Sequence, residues 1–261
     1  DMNNATYTQQ YNSSTSQARA GCEKSDGTVV YELGNGYVRE YKMTTGWDVS
    51  TASQTGTTLS TGITGGGGGI TLSDDGTLLT IIPLEGGSMQ QWTFSTPWDI
   101  TTSTGVVSES NPLGMGLVRG IRWINSGNKL LVNRDSNYET HSASTPYDIT
   151  TLSDDANDFS TSAQSTNMRG GIDISTDGTI IICATQTGGL CFKYDLSTPW
   201  DISTSVFASQ TLDYSAQSTT GTYYCLGGFS DSTIIIGSVY SRMYEYDVPD
   251  SFTGSIGYKV V

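Results

Sequence analysis

Few residues in this 261-residue chain could perform catalysis. His141 is the single histidine, so a histidine-based metal site is excluded and a nucleophile with a histidine base would depend on this residue alone. We expect His141 to be a satisfied polar residue in a strand. Glycoside hydrolysis would need two facing carboxyl groups, which Glu23, Glu85 and Asp173 could supply only around a common axis. We therefore predict no catalytic residues and no cofactor.

Neither the aspartates nor the cysteines have the spacing of a metal site. Asp74 and Asp75 lack the alternating acidic pattern of a calcium loop, and turn chemistry accounts for them. The four cysteines lack zinc-ligand spacing. Cys22 and Cys225 lie in the first and last of the repeats described below, where two buried free thiols or a disulfide between neighbouring inner strands are both compatible with the sequence.

The charge balance argues against several classes of partner. Twelve basic residues against 26 acidic ones give a net charge of −14, which repels phosphate backbones and excludes nucleic acid as an expected partner. No apolar run approaches the roughly 20 residues that cross a bilayer, so we expect no membrane insertion. The acidic residues are dispersed along the chain, as on a soluble surface that resists association.

A short sequence motif, in which an aromatic residue is followed by Asp as in Trp200-Asp201, recurs along the chain, and we call it the phrase. The phrase aromatics are separated by 51, 49 and 53 residues, and a weaker fifth copy follows after another 52. Periods of this size mark stacked supersecondary units. The phrase aromatics are Trp47, Trp98, Tyr147, Trp200 and Phe252.

Each copy of the repeat supplies about four strands. A Gly-rich segment precedes an Asp-Gly turn such as Asp177-Gly178, which is a hairpin signal because glycine accepts positive φ at little cost. A continuous apolar run follows, as at Ile180–Ile182, and predicts a strand buried on both faces. The next run alternates, as at Phe192, Tyr194 and Leu196, and predicts a half-buried strand. The outer strand comes after the phrase.

Four-stranded units repeated radially predict an all-β fold, a five-bladed β-propeller with four antiparallel strands per blade. We expect one domain over residues 1–261, with repeats at approximately 12–60, 61–111, 112–160, 161–213 and 214–261. Residues 1–11 resemble a spare outer strand and are expected to complete the last blade and close the ring. Ile256–Val261 is the alternative for this place. Asp1 aligns with the phrase Asp, so the chain is expected to begin partway through a repeat.

The Asp-Gly turn and the phrase Ser-Thr-Pro-Trp-Asp-Ile-Ser-Thr at Ser197–Thr204 carry a family resemblance. The repeats resemble those of propeller domains in bacteriophage structural and tail-associated proteins and in some bacterial surface proteins, over nearly the whole chain. The resemblance implies a role in virion structure or host attachment. The third copy departs from the pattern, with Ser126-Gly127-Asn128 as its turn and His141 at the position of Tyr194. We expect any specialised surface in that blade.

Two residue sets are candidates for ligand binding. Arg19, Arg119 and Arg169 precede the inner strands of three repeats and would gather near one mouth of the axis. They could bind an anionic ligand such as an acidic sugar, or each could pair with a local carboxylate or carbonyl. The aromatics Trp47, Trp98, Tyr147 and Trp200 could stack on sugars, or wedge adjacent blades together.

The sequence therefore favours a non-enzymatic module of a virion or a cell exterior, or more generally of an extracellular surface. Its expected partners are other virion or surface proteins, or a cell-surface glycan. A secreted lectin-like propeller of cellular origin is the alternative, because the same repeats would serve it equally well. An enzyme ranks third, since no catalytic constellation breaks the symmetry of the repeats.

Overall fold

The computed structural model describes residues 1–12, 18–63, 66–85, 87–110, 116–218, 221–229, 232–238 and 242–249. Within these ranges, twenty strands form five separate four-stranded antiparallel sheets. The innermost strand of each sheet contacts the innermost strands of the two neighbouring sheets, so the sheets follow one another around an axis. The predicted all-β, five-bladed propeller is confirmed.

Each blade runs from an inner strand at the axis to an outer strand at the periphery of the ring. Blade 1 comprises, in that order, β2 Ala20–Glu23, β3 Val29–Leu33, β4 Tyr37–Met43 and β5 Ala52–Ser60. Blade 2 comprises β6 Gly67–Leu72, β7 Leu78–Pro83, β8 Ser88–Phe94 and β9 Ser103–Ser110. Blade 3 comprises β10 Gly120–Ile124, β11 Lys129–Arg134, β12 Asn137–Ala143 and β13 Leu152–Ser160. Blade 4 comprises β14 Ile172–Ile174, β15 Ile180–Ala184, β16 Leu190–Leu196 and β17 Ser205–Asp213. Blade 5 comprises β18 Thr222–Gly228, β19 Thr233–Ser238, β20 Arg242–Asp247 and β1 Thr6–Asn12.

The N-terminal strand closes the ring, as predicted. β1 pairs antiparallel with β20, from Thr6 opposite Asp247 to Asn12 opposite Arg242. The first and the last described strand are therefore neighbours in the same sheet, and β1 covers an edge of β20 that would otherwise be unpaired. The alternative closing segment 256–261 and the fifth phrase aromatic at position 252 lie outside the described residues.

The third strands of blades 1, 4 and 5 differ from their prediction. The centres of β16 and β20 are buried on both faces, so the expectation of half-buried strands was wrong. Polar residues at these centres are buried, and two of them, Glu40 and Glu245, accept hydrogen bonds from the next blade. Glu245 shows why: its carboxylate accepts a hydrogen bond from the backbone N–H of Val49 in blade 1, at 2.8 Å. The outer strands, such as β13, carry the half-buried alternation instead.

The repeated phrase folds as a capped turn against the Asp-Gly turn. Its Asp accepts a hydrogen bond from the backbone two residues later, as Asp201 does from Ser203, and begins a single 3₁₀ turn. The aromatic before it has a left-handed backbone, with φ of 63° at Trp200. Its ring lies against the turn glycine, where a Cβ on Gly178 would overlap the indole. The turn therefore needs glycine for both its φ and its missing side chain.

The described residues contain only short 3₁₀ helices, and none is long and apolar enough to cross a membrane. Their bounds are Met2–Asn4, Val49–Thr51, Ile100–Thr102, Ile149–Thr151 and Ile202–Thr204.

Candidate functional site

A cavity of about 310 Å³ opens at the mouth of the axis where the inner strands end. Residues from blades 1 to 4 form its wall, and we call it the axial cavity. Three tryptophans line it: Trp98 and Trp200 are half-buried, and Trp123 is buried. Concave sites of this size, with aromatic walls and a few polar groups, are typical of small-ligand binding.

One set of polar side chains at the rim of the axial cavity comes from equivalent positions in these four blades. Each rim residue stands two positions before its turn glycine, so the repeat places all of them at the same height. Their chemistry differs from blade to blade: two hydroxyls, a carboxylate and an amide. The rim residues are Ser25, Asp74, Asn125 and Thr176.

A buried ion-pair cluster lies at the floor of the axial cavity. The Arg122 guanidinium on β10 bonds to both carboxylate oxygens of Glu23 on β2, with Nη1 3.0 Å from Oε2. Its Nε lies 3.1 Å from Oδ1 of Asp173 on β14. The other Asp173 oxygen accepts a hydrogen bond from the backbone N–H of Gly227 on β18, at 2.7 Å. One guanidinium and two carboxylates thus join four blades across the axis.

The cluster perturbs the ionisation of Asp173. Loss of solvation on burial raises the pKa of Asp173 from its ordinary 3.8 to about 7. The positive charge of Arg122 opposes this rise, and the negative charge of Glu23 adds to it. Coulombic attraction of both carboxylates raises the pKa of Arg122 despite its burial, so this residue remains charged.

We expect the contribution of Asp173 to the free energy of unfolding to fall as the pH rises from 3.8 towards about 7. The folded state holds the Asp173 proton more tightly than the unfolded chain does, so this contribution is complete at low pH and is lost through that window. Urea unfolding across this pH range measures it, with Asp173→Asn as the variant in which the dependence should flatten. Equal slopes in the two proteins would contradict the assignment.

The phrase aromatics are not equivalent in the structure. Trp98 and Trp200 line the axial cavity. Trp47 is only 5% exposed and packs between blades 1 and 5, in a cluster that includes Tyr224. Tyr147 is half-buried, and its hydroxyl accepts a hydrogen bond from the backbone of Asp74 at 3.4 Å. Trp98 and Trp200 are therefore placed where they could stack on a sugar in the axial cavity, whereas Trp47 packs between adjacent blades.

The third blade differs from the others at the cavity rim. Asn125 and Ser126 are consecutive residues with left-handed backbone, at φ of 50° and 51°. In the second and fourth blades, glycine alone takes positive φ in the corresponding turn. Left-handed non-glycine residues cost free energy and concentrate at binding sites. His141 of the same blade is 2% exposed, with Nε2 3.0 Å from Oε1 of Glu139, so it lies in the core and not on a surface.

Sequence reasoning missed Arg122, although a signal was present. Arg122 is a charged residue inside the inner strand Gly120–Ile124, which is otherwise apolar. The position five residues before the turn holds a different residue type in every blade, which marks where the repeat symmetry is broken. These five residues are Cys22, Thr71, Arg122, Asp173 and Gly227.

Glu85 and the three arginines that the sequence singled out do not line the axial cavity. Glu85 is exposed. Arg19, Arg119 and Arg169 come together at the opposite mouth of the axis, where all three line one small cavity. Asp135 pairs with Arg119 and Arg169. The three arginines therefore lie together, and two of them also pair with a local carboxylate.

The four cysteines are free and buried. Cys22 packs in the core cluster between blades 1 and 2, whereas Cys225 packs between blades 4 and 5. The Cys225 thiol lies 3.8 Å from the carbonyl oxygen of Ile182 in blade 4. The disulfide considered between Cys22 and Cys225 is not formed, because the two side chains leave neighbouring strands towards opposite sides. Burial raises the pKa of both thiols, which favours the protonated form.

Comparison with known proteins identifies the fold. No family model matches the chain, and no curated protein matches it. The β-propeller domain of Cps50 (Swd1) from Myceliophteria thermophila is similar, with a TM-score of 0.51 and 10% identity over 94% of this chain and 99% of that one. A functionally unknown protein from Desulfotomaculum acetoxidans has a TM-score of 0.42 and 13% identity, over 84% of this chain and 62% of that one. A putative 6-phosphogluconolactonase from Bacteroides fragilis has 0.47 and 12%, over 91% and 71%. At such identities the likeness concerns the fold alone.

Proposed function

We propose that this chain is a non-catalytic recognition module, exposed on a virion or another extracellular surface, that binds a cell-surface saccharide in the axial cavity. The observation that carries the proposal is the pairing of two half-buried indoles, Trp98 and Trp200, with a rim of hydroxyl, amide and carboxylate groups. A volume of about 310 Å³ suits one or two sugar units.

A saccharide fits this combination because each sugar ring has both apolar and polar surfaces. Its C–H face packs on an aromatic side chain, and its hydroxyl groups exchange hydrogen bonds with polar side chains. Trp98 and Trp200 supply aromatic surface from blades 2 and 4. The rim residues Ser25, Asn125 and Thr176 supply donors and acceptors between and beside them.

The floor of the axial cavity supports binding without catalysis. A glycosidase needs one carboxyl group as acid and another as nucleophile or base, on either side of the scissile bond. Here Glu23 and Asp173 both bond to Arg122, and Asp173 also accepts the Gly227 N–H. Both carboxylates are engaged by protein groups, so their role is to hold four blades in a fixed arrangement. A fixed wall reduces the entropy lost on binding.

The location on a virion or cell exterior rests on the resemblance of the repeats, and a secreted lectin-like protein would use the same cavity. Electron microscopy of the native source separates the two. A domain fixed on a particle supports the attachment role with virion proteins as partners, whereas a free domain supports the lectin.

Replacing both indoles, Trp98→Leu with Trp200→Leu, is expected to weaken saccharide binding by about tenfold or more, because each aromatic contact contributes roughly 0.5–1.5 kcal/mol. A glycan array identifies a neutral ligand of the unmodified protein, and calorimetric titration then compares the variants.

Trp92→Leu is the matched control for this experiment. Trp92 is half-buried on β8 and packs against the same core cluster as Trp98, but it does not line the axial cavity. The control should retain full affinity. An equal loss of affinity in the control, or an array without any bound glycan, would overturn the proposal.

A further inference from the structure

Three guanidinium groups meet at the mouth of the axis opposite the axial cavity. They come from blades 1, 3 and 4, and we call Arg19, Arg119 and Arg169 the arginine mouth. Tyr223 of blade 5 and Leu84 of blade 2 complete the wall of the small cavity between them. All five blades therefore contribute to a second axial site, separate from the one used in the proposed function.

One carboxylate serves two of these arginines. Asp135 follows β11, and its Oδ1 lies 3.0 Å from Nε of Arg119 and 2.6 Å from Nε of Arg169. Its Oδ2 accepts a further hydrogen bond from Nη2 of Arg169 at 3.1 Å. Asp135 has a left-handed backbone, with φ of 60°, which directs the carboxylate between the two blades at a conformational cost. The arginine mouth thus already holds one carboxylate by a forked contact.

The third arginine has no carboxylate partner among the described residues. Arg19 donates from Nη1 to the Tyr223 hydroxyl at 2.8 Å, and its guanidinium carbon lies 5.0 Å from the centre of that ring. Its Nε is buried and makes no hydrogen bond within the described part of the chain. A partly buried cation with an unused donor is unfavourable unless an anion compensates it.

The local charge is opposite to that of the whole molecule. Three of the 12 basic residues stand here against the single carboxylate of Asp135, in a chain whose net charge is −14. The net negative charge of the whole molecule disfavours anions in general, so an anion gains from this site only when it engages the guanidiniums directly.

We propose that the arginine mouth binds the carboxylate group of an acidic saccharide. The enclosed space is about 10 Å³, roughly that of one water molecule, so the ligand carboxylate would lie at its opening with the sugar ring outside. The planar guanidinium fork matches a carboxylate, as the contacts of Asp135 illustrate. The ligand carboxylate would accept hydrogen bonds from Arg19 and from the Nη groups of Arg119, whose Nε pairs with Asp135.

Titration with glucuronate tests the site, using the Arg Nε–H signals in ¹H–¹⁵N spectra as the readout. We expect saturable shifts of the Arg19 signal in the intact protein, and none with the neutral methyl glucoside. Arg19→Gln is expected to weaken glucuronate binding by about tenfold or more, since a hydrogen bond to a charged group contributes roughly 1.5–3 kcal/mol. It leaves no carboxylate unpaired, so folding should be unaffected.

Arg242→Gln is the matched control, because Arg242 is exposed on β20 and its loss changes the net charge equally. This variant should keep its affinity for glucuronate. Equal weakening by both substitutions, or an absence of saturable shifts, would overturn the proposal. The neutral-glycan affinity governed by Trp98 and Trp200 should not change in Arg19→Gln, so the two proposed sites can fail independently.

Discussion

Replacing Arg122 with methionine is expected to lower the free energy of unfolding by about 3–5 kcal/mol, the range for breaking a buried ion pair from one side. The substitution leaves Glu23 and Asp173 as two buried carboxylates without a cation. Urea unfolding near pH 8 measures the loss, because there both carboxylates would have to stay ionised or take up protons at a cost in free energy.

Arg119→Met is the matched control for this loss. Arg119 is also partly buried and ion-paired at the axis, but its partner Asp135 keeps Arg169 when Arg119 is removed. We expect a loss below about 1 kcal/mol for this control. Adding Glu23→Gln and Asp173→Asn to the Arg122 variant should recover part of the lost stability. Similar losses of unfolding free energy in Arg122→Met and Arg119→Met would contradict the prediction, because the buried cluster around Arg122 would then stabilise the fold no more than the ion pair of Arg119 does.

Gly178→Ala is expected to destabilise the protein by about 3 kcal/mol, because two independent costs add at this position. The backbone has a φ of 72°, which alanine adopts unfavourably. In addition, its Cβ would overlap the indole of Trp200, which rests on this turn. Thermal unfolding measures the total loss, and displacement of Trp200 should also weaken binding in the axial cavity.

Gly56→Ala separates the two costs. Gly56 has a comparable φ of 81°, but a Cβ there would meet nothing within 4 Å. Only the backbone cost of about 1 kcal/mol is expected for this variant. If the two alanine variants lose the same stability, then the aromatic does not rest on the turn as described.

The turns of the repeat could be predicted from the sequence because neighbouring residues produce them. The Asp-Gly turns require positive φ at glycine, and the phrase Asp caps a short 3₁₀ turn by bonding two residues ahead. Neither depends on the rest of the chain. The left-handed backbone of the phrase aromatics, as at Trp98 and Trp200, could not be predicted from the sequence, because it follows from packing on the glycine of a different turn.

The sequence predicted the candidate sites unevenly. Arg19, Arg119 and Arg169 stand at nearly the same place in their repeats, so ring symmetry alone brings them together. Arg122 and Asp173 occupy a position at which the repeats differ in sequence. Their contact depends on the strand face that each side chain occupies. A strand shifted by one residue would turn these charges away from each other.

By itself, the sequence determined the number of blades and the four-stranded unit, whereas it left two segments open for closing the ring. The number of blades and the unit follow from periodicity and from turn chemistry, which act over a few residues. Only the tertiary structure decided that the N-terminal strand closes the ring, which side chains meet across the axis, that Cys22 and Cys225 point apart, and that the centres of the third strands of blades 1, 4 and 5 are buried on both faces. The reason is that these contacts join different repeats, and the angle and register between packed blades set them, which a single repeat does not encode.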